Sequence, residues 1–214
     1  MKIFFASIIA VLMIAGTGFL SSCAGLPAEK AKTVPETGAT PERKIWEGPE
    51  SPEHIMGKGR VSEEKLAAFL IQVNTAIDAG FIRELSGLYV EEAALEGVNH
   101  DTAFAQMCLE TGFLRYGGLV TPDMNNFCGL GAIGPEQPGL FFSDSRTGVR
   151  AHIQHLKAYA VTEPLNQKLV DPRFRYVKRG SAPTIHGLAG TWAADISYNA
   201  KISRILENLY EFSF

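Results

Sequence analysis

The sequence predicts a mainly α protein, a helical bundle with a short β-hairpin or loop lobe. Five segments between residues 61 and 214 place apolar side chains at the three- and four-residue spacing of helices. Strand signals are confined to residues 126–142, whose glycines and prolines indicate a short hairpin or a bare loop. The 214 residues are 46% hydrophobic and 20% charged, a globular composition with enough apolar mass for one sizeable core.

The first 22 residues have the pattern of an export signal. Lys2 precedes an apolar run, Ile3–Ala15, that is shorter than the roughly 20 residues needed to span a bilayer. Residues 20–23, Leu-Ser-Ser-Cys, resemble the lipobox at which bacterial lipoproteins are lipidated on cysteine. We therefore expect a signal peptide over 1–22 and a lipid on Cys23 that anchors an exported protein to a membrane of the bacterial cell envelope. An ordinary secretory signal with a chance cysteine is the alternative.

Residues 23–60 are expected to form a lipid-anchored flexible linker. Residues 24–60 hold five of the eleven prolines, five glycines, six acidic and six basic residues. Such a composition buries too little apolar surface to offset the entropy lost on ordering. Trp46 and Ile55 could instead attach part of this segment to the domain that follows, residues 61–214.

The domain is predicted to begin with two helices. Val61–Ala79 has Ser62 as its N-cap, acidic residues in its first turn and apolar residues at helical spacing. A second helix is expected over about 81–96, with Gly97 past its end. Three more helices are predicted over about residues 101–114, 145–160 and 195–212.

The helix over residues 101–114 is apolar around nearly its whole circumference, which predicts a place inside the core. Its polar exceptions, Gln106 and Glu110, are four residues apart and share one side. A carboxyl group there is costly unless it is paired or faces a cleft, and burial raises its pKa. The pattern alone leaves two interpretations open: Glu110 pairs with an arginine such as Arg115 or Arg150, or it is a general acid.

Several motifs resemble those of the bacterial glucosaminidase family, glycoside hydrolase family 73. Glu110-Thr-Gly112 and Asn125-Asn126-Phe127-Cys128-Gly129 are similar to the family's Glu-Ser/Thr-Gly and Asn-Asn-x-Phe-Gly motifs. The likeness continues through residues 142–159 and ends in residues 188–202, similar to the family's Tyr-Ala-Thr-Asp-Pro-x-Tyr-Ala-x-Lys-Ile segment. It covers about residues 85–210, with the motifs in the family's order.

The resemblance implies a lysozyme-like fold around a sugar-binding groove and an endo-β-N-acetylglucosaminidase that hydrolyses peptidoglycan. Glu110 then corresponds to the catalytic acid for the β-1,4 bond between N-acetylglucosamine and N-acetylmuramic acid. A second carboxylate is usual in glycoside hydrolysis, but only 17 residues separate Asn126 from Asp144, a shorter lobe than in much of the family. The second group therefore stays open between Asp144, Glu136 and the substrate's own 2-acetamido oxygen. Asp144 has an equal claim as a helix N-cap.

Sugar binding is expected from flat aromatic surfaces and from side-chain amides. The candidates are Phe127, Tyr116, Trp192 and Tyr198 for stacking, and Asn125 and Asn126 for hydrogen bonds. Trp192 stands where the family usually has a tyrosine. Core packing is the alternative for each aromatic side chain.

No cofactor or metal is expected. His152 and His155 are three residues apart, but no acidic or cysteine ligand lies at a useful spacing. Cys108 and Cys128 both fall within the motifs, and they either form a disulfide in an oxidising compartment or remain buried thiols.

The charge balance excludes nucleic-acid binding. The net charge is -3, and residues 61–214 carry 13 basic against 17 acidic side chains, or -4, whereas binding to a phosphate backbone requires a basic surplus. A basic stretch could hold anionic wall polymer or could simply be a solvated surface; it consists of Lys168, Arg173, Arg175, Lys178 and Arg179.

The expected partners are peptidoglycan glycan strands, bound by a monomer. The alternatives are an inactive wall-binding lipoprotein, and a muramidase or lytic transglycosylase.

Overall fold

The computed structural model describes residues 53–214, and helices dominate this part of the chain. They are α1 (Glu63–Val73), α2 (Ala79–Glu96), α3 (His100–Thr111), α4 (Ser145–Ala160) and α5 (Tyr198–Ser213), with short 3-10 helices at Pro122–Met124, Phe174–Tyr176 and Ile185–Leu188. The β-pairing within residues 53–214 consists of isolated bridges, one of which joins Gly134 to Gln137. The predicted mainly α class is confirmed, and the segment 126–142 is a loop lobe with several turns, including a tight turn over residues 134–137.

Helix α3 lies at the centre of the core, as its apolar circumference predicted. Ten of its twelve residues are buried, and it contacts α2, α4 and α5. Left-handed glycines end two of the helices, Gly97 after α2 and Gly112 after α3, because glycine adopts this conformation without a Cβ clash. The C-terminal end of α3 thereby falls at Thr111, three residues earlier than predicted.

Helix α1 is shorter than the predicted Val61–Ala79, and that prediction is wrong beyond Val73. Asn74 is extended, and its amide group donates to the carbonyl of Phe113 at 2.7 Å while its Oδ1 accepts from the backbone of Ala76 at 3.2 Å. These bonds replace the helical ones. Apolar spacing continued to Ile77 because that side chain still packs against the core.

Helix α4 begins where it was predicted and approaches the loop lobe very closely. A Cβ at Gly148 would lie 1.8 Å from the carbonyl oxygen of Asn125, so only glycine fits there. Asp144 is the N-cap, accepting from the backbone of Thr147 at 2.8 Å. The contact fixes the start of the lobe against the first turn of α4.

The folded region begins before residue 61. Ile55 is fully buried and Met56 is 5% exposed, and both belong to the core. The backbone of Ile55 donates to Pro183 at 3.1 Å and accepts from Asn99 at 2.8 Å. The last residues of the expected linker are therefore part of the folded region, whereas the signal peptide, Cys23 and Trp46 lie outside the described residues.

Among the helices of residues 53–214, none is both long and apolar enough to cross a bilayer.

Candidate active site

Glu110 lies in the last turn of α3, in the wall of an open cavity of about 340 Å³. Its Oε1 accepts hydrogen bonds from Trp192 Nε1 at 3.1 Å and from the hydroxyl of Tyr198. A Cβ placed on Gly129 would lie 3.6 Å from Oε2, and both residues line the cavity. The missing side chain at Gly129 leaves room for a ligand beside Oε2.

Burial raises the pKa of Glu110, and the hydrogen bonds from Tyr198 and Trp192 offset part of that rise. Both donors are neutral, so they orient the carboxyl group without supplying a counter-charge. Such a group holds its proton to a higher pH than an exposed glutamate does, which is what a general acid requires.

The glutamates of the described region that are more deeply buried than Glu110 have cationic partners. Burial by itself would raise the pKa of Glu92, but hydrogen bonds, led by that from Arg150, bring it below the ordinary value. Glu96 accepts from the ammonium group of Lys157 at 2.8 Å. Glu110 is thus distinguished by its neutral donors.

The interpretation in which Glu110 pairs with an arginine is wrong. Arg150 forms its ion pair with Glu92 at 2.9 Å. Arg115 donates instead to the backbone carbonyls of Gly112 and Val73.

A chain of hydrogen bonds runs from Glu110 into the core. The Tyr198 hydroxyl accepts from Gln106 Nε2 at 2.8 Å, Gln106 Oε1 lies 2.9 Å from His152 Nε2, and His152 Nδ1 lies 2.9 Å from the hydroxyl of Tyr89. Because an amide oxygen can only accept, His152 donates from Nε2 and accepts the Tyr89 proton at Nδ1. Every hydrogen bond from Tyr89 to Glu110 is then donated in the direction of Glu110.

His152 is neutral within this chain. Burial lowers the pKa of His152 to about 3, with a smaller contribution from the neighbouring His155. A neutral ring keeps one donor and one acceptor nitrogen, as the chain requires. Both ring nitrogens are engaged in these hydrogen bonds.

The backbone after Glu110 adopts an unusual left-handed turn. Phe113, Leu114 and Tyr116 have φ angles of 58°, 60° and 56°, a region that residues other than glycine seldom occupy. A hydrogen bond of 2.7 Å from the backbone of Tyr116 to the carbonyl of Thr111 holds the turn. The turn brings Tyr116 into the wall of the same cavity as Glu110.

The four aromatic candidates divide into two pairs. Trp192 and Tyr116 line the cavity and are partly exposed. Tyr198 is 5% exposed and contacts Glu110 through its hydroxyl, so its ring face is not open to a sugar. Phe127 is 1% exposed within the core, and the expectation that it offers a stacking surface is corrected for the same reason.

The side-chain amides of Asn125 and Asn126 hold the loop lobe together. Asn126 is fully buried; it donates to the carbonyls of Leu130 and Leu140 at 2.9 and 3.1 Å and accepts from the backbone of Leu130. Asn125 donates to the carbonyl of Phe142 at 3.1 Å. Their side chains are engaged within the lobe, and of the two only Asn126 lines the cavity; a direct contact with sugar stays a prediction.

Neither candidate for a second carboxylate lines the cavity of Glu110. Asp144 is exposed and caps α4, where hydrogen bonds from Ser143 and Thr147 lower its pKa. Glu136 is exposed in the tight turn of the lobe. Within the described region, Glu110 contributes the carboxyl group of this cavity.

The two motif cysteines of the described region are free thiols. Cys108 and Cys128 are both buried and unpaired, and burial raises the pKa of each thiol. The disulfide alternative is therefore absent from this structure.

The sequence analysis did not predict that the side chains of Gln106, Tyr89 and His152 belong to the site. The i, i+4 spacing of Gln106 and Glu110 was the available signal.

A partly buried carboxyl group with a raised pKa in the wall of an open groove is the environment of the general acid in glycoside hydrolases. A family model described as "Mannosyl-glycoprotein endo-beta-N-acetylglucosaminidase" matches residues 86–211. The chain belongs to this glucosaminidase family.

Two individual proteins are similar to the chain. An uncharacterized protein of Borreliella burgdorferi is 42% identical over 159 residues, which cover 74% of this chain and 78% of that protein. The crystal structure of Staphylococcus aureus Autolysin E in complex with the muropeptide NAM-L-ALA-D-iGLU is 14% identical, with a TM-score of 0.46, and the match covers 74% of this chain and 71% of that one.

Proposed function

We propose that this protein is a peptidoglycan hydrolase that cleaves the β-1,4 bond between N-acetylglucosamine and N-acetylmuramic acid, with Glu110 as the general acid. The observation that carries the proposal is the environment of Glu110: a carboxyl group with a raised pKa, fixed through Oε1 and bordering an open cavity. Membership of the glucosaminidase family supports this choice of bond.

The first step of the proposed reaction breaks the glycosidic bond. Glu110 transfers its proton to the leaving oxygen at C4 of N-acetylmuramic acid while positive charge develops at C1 of N-acetylglucosamine. Since Oε1 is occupied by two donors, Oε2 beside Gly129 is the oxygen that carries the proton. Glu110 becomes a carboxylate that its donors continue to stabilise.

We propose the 2-acetamido oxygen of the same N-acetylglucosamine as the second catalytic group. It bonds to C1 as the leaving oxygen departs, forming an oxazolinium ion. Water then adds to C1, its proton passes to Glu110, and the acetamido group is restored, so the product retains its anomeric configuration. The positions of Asp144 and Glu136 away from the cavity support this choice over a second carboxylate.

The test is hydrolysis of purified peptidoglycan by wild type and by Glu110→Gln, with the muropeptides analysed by mass spectrometry. We expect new reducing N-acetylglucosamine ends from wild type and a rate reduced by about 10²- to 10⁴-fold in the variant, the range for loss of a general acid. Glu163→Gln is the matched control and should keep full activity, because Glu163 is exposed and does not line the cavity.

Other products would contradict the proposal in distinct ways. Reducing N-acetylmuramic acid ends would mean a muramidase, and anhydro-muramic ends a lytic transglycosylase. No release by wild type would favour the inactive wall-binding lipoprotein. Appreciable activity in folded Glu110→Gln would remove Glu110 from the acid role.

We also propose that the protein is exported and held at a membrane of the cell envelope by a lipid on Cys23, ahead of a linker. The lipobox-like residues 20–23 support this. A monomer tethered in this way would reach the glycan strands of the wall from the membrane surface.

A further inference from the structure

A second cavity, of about 260 Å³, continues the groove beyond Trp192. It shares part of its wall with the cavity of Glu110, namely Cys128, Gly129, Ala132 and Trp192. The indole of Trp192 donates to Glu110 and packs against the ring of His155, with 5.1 Å between ring centroids. A ligand that reaches Glu110 and extends past Trp192 therefore enters the second cavity.

His155 is held in the wall of the second cavity by a buried carboxylate. Its Nδ1 lies 2.6 Å from Oδ2 of Asp171, which is 1% exposed. The ring is fixed edge-on by Tyr159 and Trp192. Nε2 has no hydrogen-bond partner within residues 53–214, and because His155 lines the cavity, this nitrogen is available to a ligand there as a hydrogen-bonding group.

Arg173 supplies positive charge to the same wall. Its backbone donates to Oδ1 of Asp171 at 2.7 Å, which links it to His155. Its guanidinium lies 4.8 Å from the ring of Tyr176, and it has no carboxylate partner within residues 53–214. Arg173 lines the second cavity, and a guanidinium that has no ion pair of its own is suited to bind a carboxylate from a ligand.

The two cavities differ in charge. Among the described residues that line the first cavity, Glu110 has the one acidic side chain, and no lysine or arginine accompanies it. The first cavity is therefore neutral when Glu110 is protonated. The second cavity has Arg173 and His155, while the Asp171 carboxylate is buried behind them. A glycan strand of peptidoglycan has the same alternation, since N-acetylglucosamine is neutral and muramic acid bears a carboxyl-containing lactyl group.

We propose that the second cavity is a subsite for a carboxylate attached to a muramic acid residue, bound by the guanidinium of Arg173 next to Nε2 of His155. This inference rests on the proposed function and adds to it a direction: the neutral sugar lies at Glu110 and the acidic substituent lies beyond Trp192. The carboxylate belongs either to a bare lactyl group or to the stem peptide that extends it.

The experiment measures binding by calorimetry in the Glu110→Gln background, which prevents turnover. Three probes are compared: a neutral N-acetylglucosamine oligosaccharide, glycan strands stripped of peptide, and strands that carry stem peptides. Arg173→Gln should weaken binding of an acidic probe by about tenfold or more and leave the neutral probe unchanged. If Arg173→Gln binds the stripped strands more weakly, the bound carboxylate is that of the lactyl group. If it binds only the peptide-bearing strands more weakly, the bound carboxylate belongs to the stem peptide.

Arg175→Gln is the matched control because Arg175 also lies 4.8 Å from the ring of Tyr176 but does not line the cavity. It should bind all probes as the parent does. Arg173→Lys keeps the charge and should restore part of the selectivity, and thermal melting confirms that each variant is folded. Equal weakening for all probes, no change in Arg173→Gln, or no binding of any probe would overturn the subsite.

The two proposals fail separately. A wild type that does not cut peptidoglycan, while Arg173 still selects acidic probes in the Glu110→Gln background, contradicts the hydrolase alone. A wild type that cuts, with binding indifferent to Arg173, contradicts the subsite alone.

Discussion

The protonation of Glu110 depends on two opposing effects at the scale of a single residue. Burial favours the neutral acid, and the hydrogen bonds from Tyr198 and Trp192 favour the carboxylate. The first effect prevails, so the folded protein holds this proton more tightly than the unfolded chain does. Keeping a carboxylate at this position therefore costs stability at neutral pH.

Replacing Glu110 by Gln should stabilise the protein above the raised pKa of the folded state. Below the ordinary value of 4.5 the folded and unfolded chains are both protonated, and the variant should have no advantage. As the pH rises through the pKa of Glu110 in the folded state, wild type loses stability relative to the variant. Each kcal/mol of difference in unfolding free energy corresponds to about 2–4 °C in Tm for a domain of this size. Thermal melts of both proteins at pH 3.5 and pH 7 measure the difference, and an equal gap at both values would contradict the sign of the shift.

At the scale of elements, local signals predicted the helices best where a cap was involved. Helix α2 ends at Gly97 and helix α4 begins after Asp144, as predicted. A left-handed glycine or a capping carboxylate acts on its own helical turn, so its effect can be predicted from local sequence. The early end of α1 depends on Asn74 meeting the carbonyl of Phe113, 39 residues away. The spacing of apolar residues along the chain does not predict such a long-range contact.

The same reason limited prediction of the site. The motifs placed Glu110, Trp192 and Tyr198 among the candidate site residues, and the structure joins the three by hydrogen bonds that the motifs did not predict. The chain through Gln106 to His152 depends on side chains 46 residues apart, and the burial of Phe127 depends on packing among several helices. Neither follows from spacing along the chain.

The role of Asp144 can be tested as a property of α4. Asp144→Ala removes the acceptor for the backbone N–H of Thr147 and should cost about 1 kcal/mol of folding free energy. Asp144→Asn keeps a capping oxygen and should cost much less. Urea denaturation measures both, and we expect hydrolysis by the folded variants to stay close to wild type. A large loss of activity in a stable Asp144→Asn would instead support the two-carboxylate scheme.

At the scale of the whole molecule, the burial of Ile55 changes the length available for a tether. The folded region begins no later than Glu53, so 29 residues, 24–52, separate it from Cys23. A chain of that length reaches at most about 100 Å when fully extended. The proposed lipid anchor would thus limit how far the groove can lie from the membrane.

Anchoring itself predicts a fractionation result. Wild type should sediment with membranes, because acyl chains contribute about 0.8 kcal/mol for each buried methylene, whereas Cys23→Ser should be released into the soluble fraction. Immunoblots of both fractions from matched cells measure this, with Cys108→Ser as a control for loss of a cysteine elsewhere. Membrane association of Cys23→Ser equal to wild type would remove the lipid from the proposal.

Trp192 joins the two cavities and hydrogen-bonds the acid between them, which makes it an optical reporter at the centre of the groove. The chain has two tryptophans, and after replacement of Trp46 we expect the fluorescence of the remaining indole to respond to the ionisation of Glu110 and to a ligand in either cavity. Ligand binding and the titration of Glu110 could then be followed on the unlabelled protein.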